Sequence, residues 1–285
     1  MKKILIIIAL AVSIYSCSSN AEVKSRNLKN DNYVVVLDLS DRIIQKSDQV
    51  DIDTNAIRAA FEKFEESVQN NLVVKSGDKF SIRIIPQKLS SLSGNTFENT
   101  LSIDLGKYNA AEKLKHLIEF KNTFGNQLKL LYQQAYLGNK TSDFAGVDIW
   151  QYFNEQINSD IDRRCNNKVL IITDGYFDFE DKKHGITNNN LSTTTSSLLK
   201  KMNSSDWQKI ADDDEIGLLP VKLTSEAKWL VCGIQPKVGN EDLLESEKLS
   251  YLWKKWLQNS GAKNICKPII NSSSLKIKNL ILKSL

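Results

Sequence analysis

Apolar and polar positions alternate along this chain in two different rhythms. Val34-Val35-Val36-Leu37 and Val169-Leu170-Ile171-Ile172 are unbroken apolar runs, the pattern of strands buried on both faces in a parallel sheet. Weaker runs at 79–85, closed by Pro86, and at 229–234 and 265–270 predict further strands. Between them the spacing changes to threes and fours, which predicts helices with one buried stripe. Over 54–68 the stripe is Ile57, Ala60, Phe61, Phe64 and Val68. Over 110–136 it is Leu114, Leu117, Ile118, Leu128 and Leu131, with a break expected at Gly125. A helix is predicted over 144–157, with Asp143 as its N-cap, and another over 241–257 with Leu244, Leu249, Leu252, Trp253 and Trp256 inward. Residues 87–106 are Ser/Asn-rich and read as irregular, with an edge strand at 100–103. A polar excursion fills about 176–220, with an amphipathic stretch near 198–210. A helix led by Ser272-Ser273-Ser274 closes the chain. Strands alternating with helices predict an α/β domain over 32–285, a doubly wound, mostly parallel sheet with helices on both faces.

The first residues follow another logic. Met1-Lys2-Lys3 precedes a short apolar stretch ending in Ser13-Ile14-Tyr15-Ser16-Cys17. The stretch is too short for a permanent membrane span and has the charge order of an export signal. Cys17, after Ser16 and before Ser18-Ser19-Asn20, resembles the lipobox of bacterial lipoproteins, although Ile14-Tyr15 departs from the commoner pairs. That resemblance implies cleavage after residue 16, acylation of Cys17, a polar tether over 17–31, and a lipid anchor in the bacterial cell envelope.

Charge adds an exclusion. The chain carries 38 basic and 34 acidic residues, and removing 1–16, with two lysines and no acid, leaves 36 against 34. This near balance, with the signs interspersed, gives no basic patch for nucleic acid. Three cysteines remain beyond Cys17. A Cys165–Cys266 disulfide is open in an oxidising compartment, whereas Cys232 in its apolar run reads as a small core residue.

The chemistry sits where the two strongest runs end. Asp38-Leu39-Ser40 follows the first and Thr173-Asp174-Gly175 the second. Ligands bind parallel sheets at the strands' carboxyl ends, so neighbouring strands would bring Asp38, Ser40 and Asp174 together. Two carboxylates and a hydroxyl, without histidine or thiol, make a hard oxygen set suited to Mg²⁺, Mn²⁺ or Ca²⁺. The bland alternative is that Asp38 and Ser40 cap the next segment and Asp174 makes a turn.

With these parts in order, the chain resembles a von Willebrand factor A-type (vWA) domain. Its metal-ion-dependent adhesion site joins an Asp-x-Ser-x-Ser loop, a mid-domain threonine and a later aspartate. Here the matching positions are Asp38-Leu39-Ser40-Asp41-Arg42, the loop Lys140-Thr141-Ser142-Asp143, and Asp174. The resemblance implies a vWA/Rossmann-like fold and a cation, Mg²⁺ first, on Asp38, Ser40, Thr141 and Asp174, with Ser142 and Asp41 as further donors. Arg42 replaces the second serine, and a guanidinium cannot ligate a cation. It either turns outward, leaving water in the serine's role, or replaces the metal by pairing with Asp38 or Asp174.

The resemblance further implies a non-catalytic module whose cation captures an acidic group of an envelope or surface protein. Two alternatives stand beside it. One is a degenerate, metal-free scaffold. The other is a metal-dependent phosphoester hydrolase with Asp38 as nucleophile, which has Ser40 where the usual second aspartate stands. No Gly-x-Ser-x-Gly elbow is present, and neither His116 nor His184 has the context of a catalytic base. Tyr176, Phe177 and Phe179 form either a partner-binding rim or a buried cover. Asp178, Glu180, Asp181 and the run Asp212-Asp213-Asp214-Glu215 read as solvated acids.

Overall fold

The computed structural model describes residues 29–85, 94–144, 146–179 and 185–285. The leader with Cys17, most of the tether, Pro86, Glu180, Asp181 and His184 lie outside the described residues. The central sheet is mostly parallel. Strand β1 (Asp31–Leu37) lies between β2 (Lys79–Ile84) and β4 (Asn166–Ile172), all parallel, with Leu37 opposite both Ile84 and Ile172. Strand β8 (Ala227–Ile234) pairs parallel with β4, β10 (Ile269–Ile270) flanks β8, and β3 (Ile103–Asp104) runs antiparallel on the far edge beside β2. The two apolar runs are therefore hydrogen-bonded neighbours at the centre of one sheet. The segment expected as one strand over 265–270 is split into β9 (Asn264–Ile265) and β10, both paired with β8.

Alternation along β1 divides the core. Tyr33, Val35 and Leu37 join one apolar cluster with α1 (Gln49–Asn70), α3 (Lys113–Ala135) and α9 (Ser274–Ser284). Val34 and Val36 join a second cluster with α4 (Ile149–Glu155), α5 (Ile157–Asp160) and α8 (Glu245–Asn259). In the first, Phe61 stacks on Phe124 with ring centroids 4.7 Å apart. In the second, Trp253 and Trp256 are fully buried around Phe153 and Phe177.

Several expectations are corrected. Helix α3 passes through Gly125 without a break. Its inward face is Phe120, Phe124, Leu128 and Leu131, because the rings of Phe61 and Phe80 set its register, and Leu114 and Ile118 are half exposed. The Ser/Asn-rich segment contains α2 (Gly94–Thr100), whose Phe97 lies four positions before Leu101, both buried. The N-cap of α4 is Asp148, which accepts the Gln151 N–H at 2.8 Å; Asp143 instead accepts the Lys140 N–H at 3.0 Å and holds a short 3-10 turn over Thr141–Asp143. Tyr176 and Phe177 are buried, so they cover the core and form no rim. Leu244 precedes α8 and is exposed. Cys165, Cys232 and Cys266 are all free, with Cys232 in the core as its apolar setting predicts.

The polar excursion builds its own small sheet from β5 (Thr187–Asn188), β6 (Leu191–Ser192) and β7 (Gly217–Leu218), with α6 (Thr195–Lys201) and α7 (Trp207–Asp213). Leu198, Met202, Trp207 and Ala211 seat it on the second cluster. Among the described residues no helix is long and apolar enough to cross a membrane.

Candidate functional site

Beyond Leu37 and Ile172 the ladder continues for a residue or two, and this continuation builds the site. The Asp38 N–H donates to the Ile172 carbonyl, Thr173 N–H to Cys232, and Gln235 N–H to the Asp174 carbonyl, each at 3.0 Å. Asp38, Thr173 and Asp174 thus stand side by side at the carboxyl ends of β1 and β4. Gly175, with φ +102°, then turns the chain away through a left-handed conformation that a side chain would strain.

Both Asp38 oxygens are engaged locally. Oδ1 accepts the Ser40 N–H at 2.9 Å and Oδ2 accepts the Thr173 hydroxyl at 2.8 Å. Asp174 Oδ1 accepts the Tyr176 N–H at 3.1 Å, which leaves Oδ2 with no hydrogen-bond donor among the described residues. Asp38, Ser40 and Asp174 are all buried. Asp41 is half-buried at the start of the 3-10 turn Asp41–Ile44. Thr141 and Ser142 are exposed, in a turn that lies against Asp41–Ile44.

Burial raises the pKa of both carboxylates. For Asp174 the Asp38 charge adds to burial and pushes the pKa up to about 8, with the Arg42 guanidinium pulling the other way. Asp38 is also raised by burial, against the Arg42 charge and hydrogen bonds from Ser40 and Thr173.

Arg42 takes neither of the two expected courses. It is fully buried, and its fork closes on Asp53 of α1, Nη1 at 2.7 Å and Nη2 at 2.9 Å. Nη1 also donates to the Asp38 backbone carbonyl at 3.2 Å, and no Arg42 hydrogen bond reaches the Asp38 or Asp174 carboxylates. Asp53 accepts further from Gln49 at 2.9 Å and the Tyr132 hydroxyl at 3.1 Å. Gln49 accepts from Asn271, which donates also to Gln235. A polar floor, buried except at the half-buried Asn271, therefore runs under the site from β1 to the ends of β8 and β10. Burial disfavours the Arg42 charge, but Asp53 outweighs it and raises the pKa; burial and Asp53 together keep Tyr132 protonated.

Sequence reasoning missed this floor and the hydroxyl of Thr173. A signal for Asp53 was present. It stands three, four and seven positions before Ala56, Ile57 and Ala60, so it falls in the apolar register of α1, where a lone carboxylate needs a partner.

The donors fit a divalent cation. Each engaged carboxylate oxygen keeps a lone pair, Asp174 Oδ2 meets no donor among the described residues, and Ser40 adds a hydroxyl. Among the described residues no three His, Cys, Asp or Glu side chains cluster as a cage. A bound Mg²⁺ would thus be held by two carboxylates, hydroxyls and water, a mix that Mg²⁺ tolerates.

A scan against family models finds no match, and a search of curated proteins finds none either. Among solved structures, the chain is similar to the pilus adhesin SpaC from Lactobacillus rhamnosus GG in its open conformation, with a TM-score of 0.42 and 12% identity. The similarity covers 90% of this chain and 30% of the adhesin chain, so this chain spans under a third of that protein's length.

Proposed function

We propose that the chain is a lipid-anchored envelope protein whose domain, a doubly wound sheet of vWA type, binds an acidic group of a partner protein through a divalent cation. The observation that carries the reading is the pair Asp38 and Asp174, buried side by side at adjoining parallel strand ends, with the Asp174 pKa pushed up to about 8. Two neighbouring buried carboxylates repel each other, and a hard divalent cation relieves that repulsion directly. When bound, the cation supplies a Lewis-acidic position open to a carboxylate oxygen. Asp38 is oriented for this by Ser40 and Thr173, and Asp174 by the Tyr176 N–H. Thr141 and Ser142 sit exposed on the adjoining turn, where a partner's approach would meet them.

Recognition, not catalysis, is favoured by the surroundings of Asp38. Both its oxygens already accept hydrogen bonds, which lowers its worth as a nucleophile, and among the described residues no acid or base is hydrogen-bonded to its carboxylate. A second reading, a metal-free scaffold, is favoured by the Arg42 charge beneath the site.

Thermal unfolding with Mg²⁺ or Mn²⁺ against chelator separates the two. The cation reading expects the wild-type midpoint to rise with metal, by mass action worth about 2.7 kcal/mol at a hundredfold excess over Kd. It expects Asp174→Ala to lose that rise while staying folded. Identical wild-type curves in metal and chelator would leave the scaffold reading.

A further inference from the structure

A fully buried arginine is expensive, and a buried ion pair is weak support for stability, because well-packed apolar residues often do as well or better. Here the burial is built with care all the same. Arg42 is 0% exposed and its fork meets both Asp53 oxygens. Asp53 is then locked by Gln49 and Tyr132. Strand β8 makes room with Gly233, where a Cβ would stand 3.2 Å from Arg42 Nη2. Arg42 Nε is left without a hydrogen-bond partner among the described residues, an unrecovered desolvation cost. Arg42 and Asp53 cancel in formal charge, yet they are not equidistant from the site: Nη1 donates to Asp53 and to the Asp38 carbonyl at once, so the guanidinium lies between Asp53 and the site loop. The two site carboxylates therefore feel the nearer, positive end.

Accepting the cation reading proposed above, we infer that Arg42 is a positioning residue that serves as a permanent counter-ion beneath Asp38 and Asp174, holding the metal-free site in shape and setting its cation affinity low. The charge does part of a cation's work before any cation arrives, and it opposes the arriving one. The site so built stays formed when empty and exchanges its ion readily, so partner capture would follow the supply of divalent cation.

The test compares wild type with two variants. Removing Arg42 alone would leave Asp53 buried and unpaired, so the pair is replaced together, Arg42→Met with Asp53→Leu, which fills the space without charge. Arg42→Lys keeps the charge and loses the fork. Mn²⁺ is titrated calorimetrically into each, and midpoints are read in chelator. The double variant is expected to bind Mn²⁺ at least tenfold more tightly than wild type, while Arg42→Lys stays within about threefold of wild type with a lower midpoint. A double variant within twofold of wild type, or weaker, overturns the inference. So does Arg42→Lys tightening as much as the double variant, since charge would then not be the cause. Should the double variant not fold, the Arg42→Lys arm still decides: a tenfold gain there overturns the inference, and affinity held near wild type supports it. If Mn²⁺ gives neither heat nor a midpoint shift with any of the three, the cation reading itself has failed and this inference falls with it, a result distinct from measured binding that ignores Arg42.

Discussion

Replacing Asp174 with asparagine should stabilise the metal-free protein, and only at the alkaline side of its pH range. The structure sets sign and size. In the fold the Asp174 pKa is pushed from 3.8 to about 8 by burial and by Asp38. Between those two values the folded protein holds a proton that the unfolded chain releases, so stability falls as pH rises through the window. A shift of roughly four units at about 1.4 kcal/mol each sets a ceiling near 6 kcal/mol above pH 8. The loss is roughly half that at pH 6 and nothing below pH 4. Asparagine carries no charge to desolvate, and its carbonyl oxygen keeps the Tyr176 N–H bond now made by Asp174 Oδ1. At about 2–4 °C per kcal/mol for a domain of this size, Asp174→Asn should unfold on the order of 10 °C above wild type at pH 8 in chelator. The two should converge by pH 4 to 5. Thermal melts by circular dichroism across pH 4 to 9 read this directly. With saturating Mg²⁺ at pH 8 the wild type should recover the difference, and Asp174→Asn should not respond. A wild-type midpoint flat from pH 5 to 8.5 in chelator, or an asparagine variant no more stable at pH 8 than at pH 5 relative to it, would refute the idea of two carboxylates held together against their repulsion.

Three further outcomes follow from named contacts. Gly233→Ala should cost at least about 2 kcal/mol in urea unfolding, because φ is +100° and the new Cβ would lie 3.0 Å from the Thr173 carbonyl. Trp253→Ala should cost about 3–5 kcal/mol by the same assay, since the fully buried indole packs on Phe153, Phe177 and Trp256 and donates to the Gly175 carbonyl at 3.0 Å. Thiol labelling with Ellman's reagent should modify Cys266 in the native protein well before Cys232, whose pKa burial pushes up to about 12; in denaturant Cys165, Cys232 and Cys266 should all react without prior reduction.

The centre of the fold was legible because β1 and β4 state their burial without ambiguity. Unbroken Val/Ile/Leu runs suit strands covered on both faces, and the polar residues that end them mark the carboxyl ends of the strands, where ligands bind. That reasoning alone brought Asp38, Ser40 and Asp174 together at adjoining strand ends, where the fold places them. Segments whose pattern depends on a distant partner were less legible. The inward face of α3 is set by rings on α1 and β2, so Leu114 and Ile118, equally apolar, lose the contest to Phe120 and Phe124. Tyr176 and Phe177 read as a rim or a cover until the position of α8 decided it, with Trp253 and Trp256 closing over Phe177.

Arg42 shows the limit most sharply. Judged along the chain, it stands in a loop that resembles a cation site and has the wrong chemistry for one, so its only visible partners are the carboxylates beside it. In the fold its partner is Asp53, which stands in no loop at all but on the inner stripe of helix α1, and the floor that fixes Asp53 reaches Asn271 through Gln49, 222 positions away from it. A local pattern measures what a residue resembles, whereas a buried charge is explained only by its counter-charge. The lone acid in the apolar register of α1 and the lone base in the site loop are each anomalous, and each is the solution to the other.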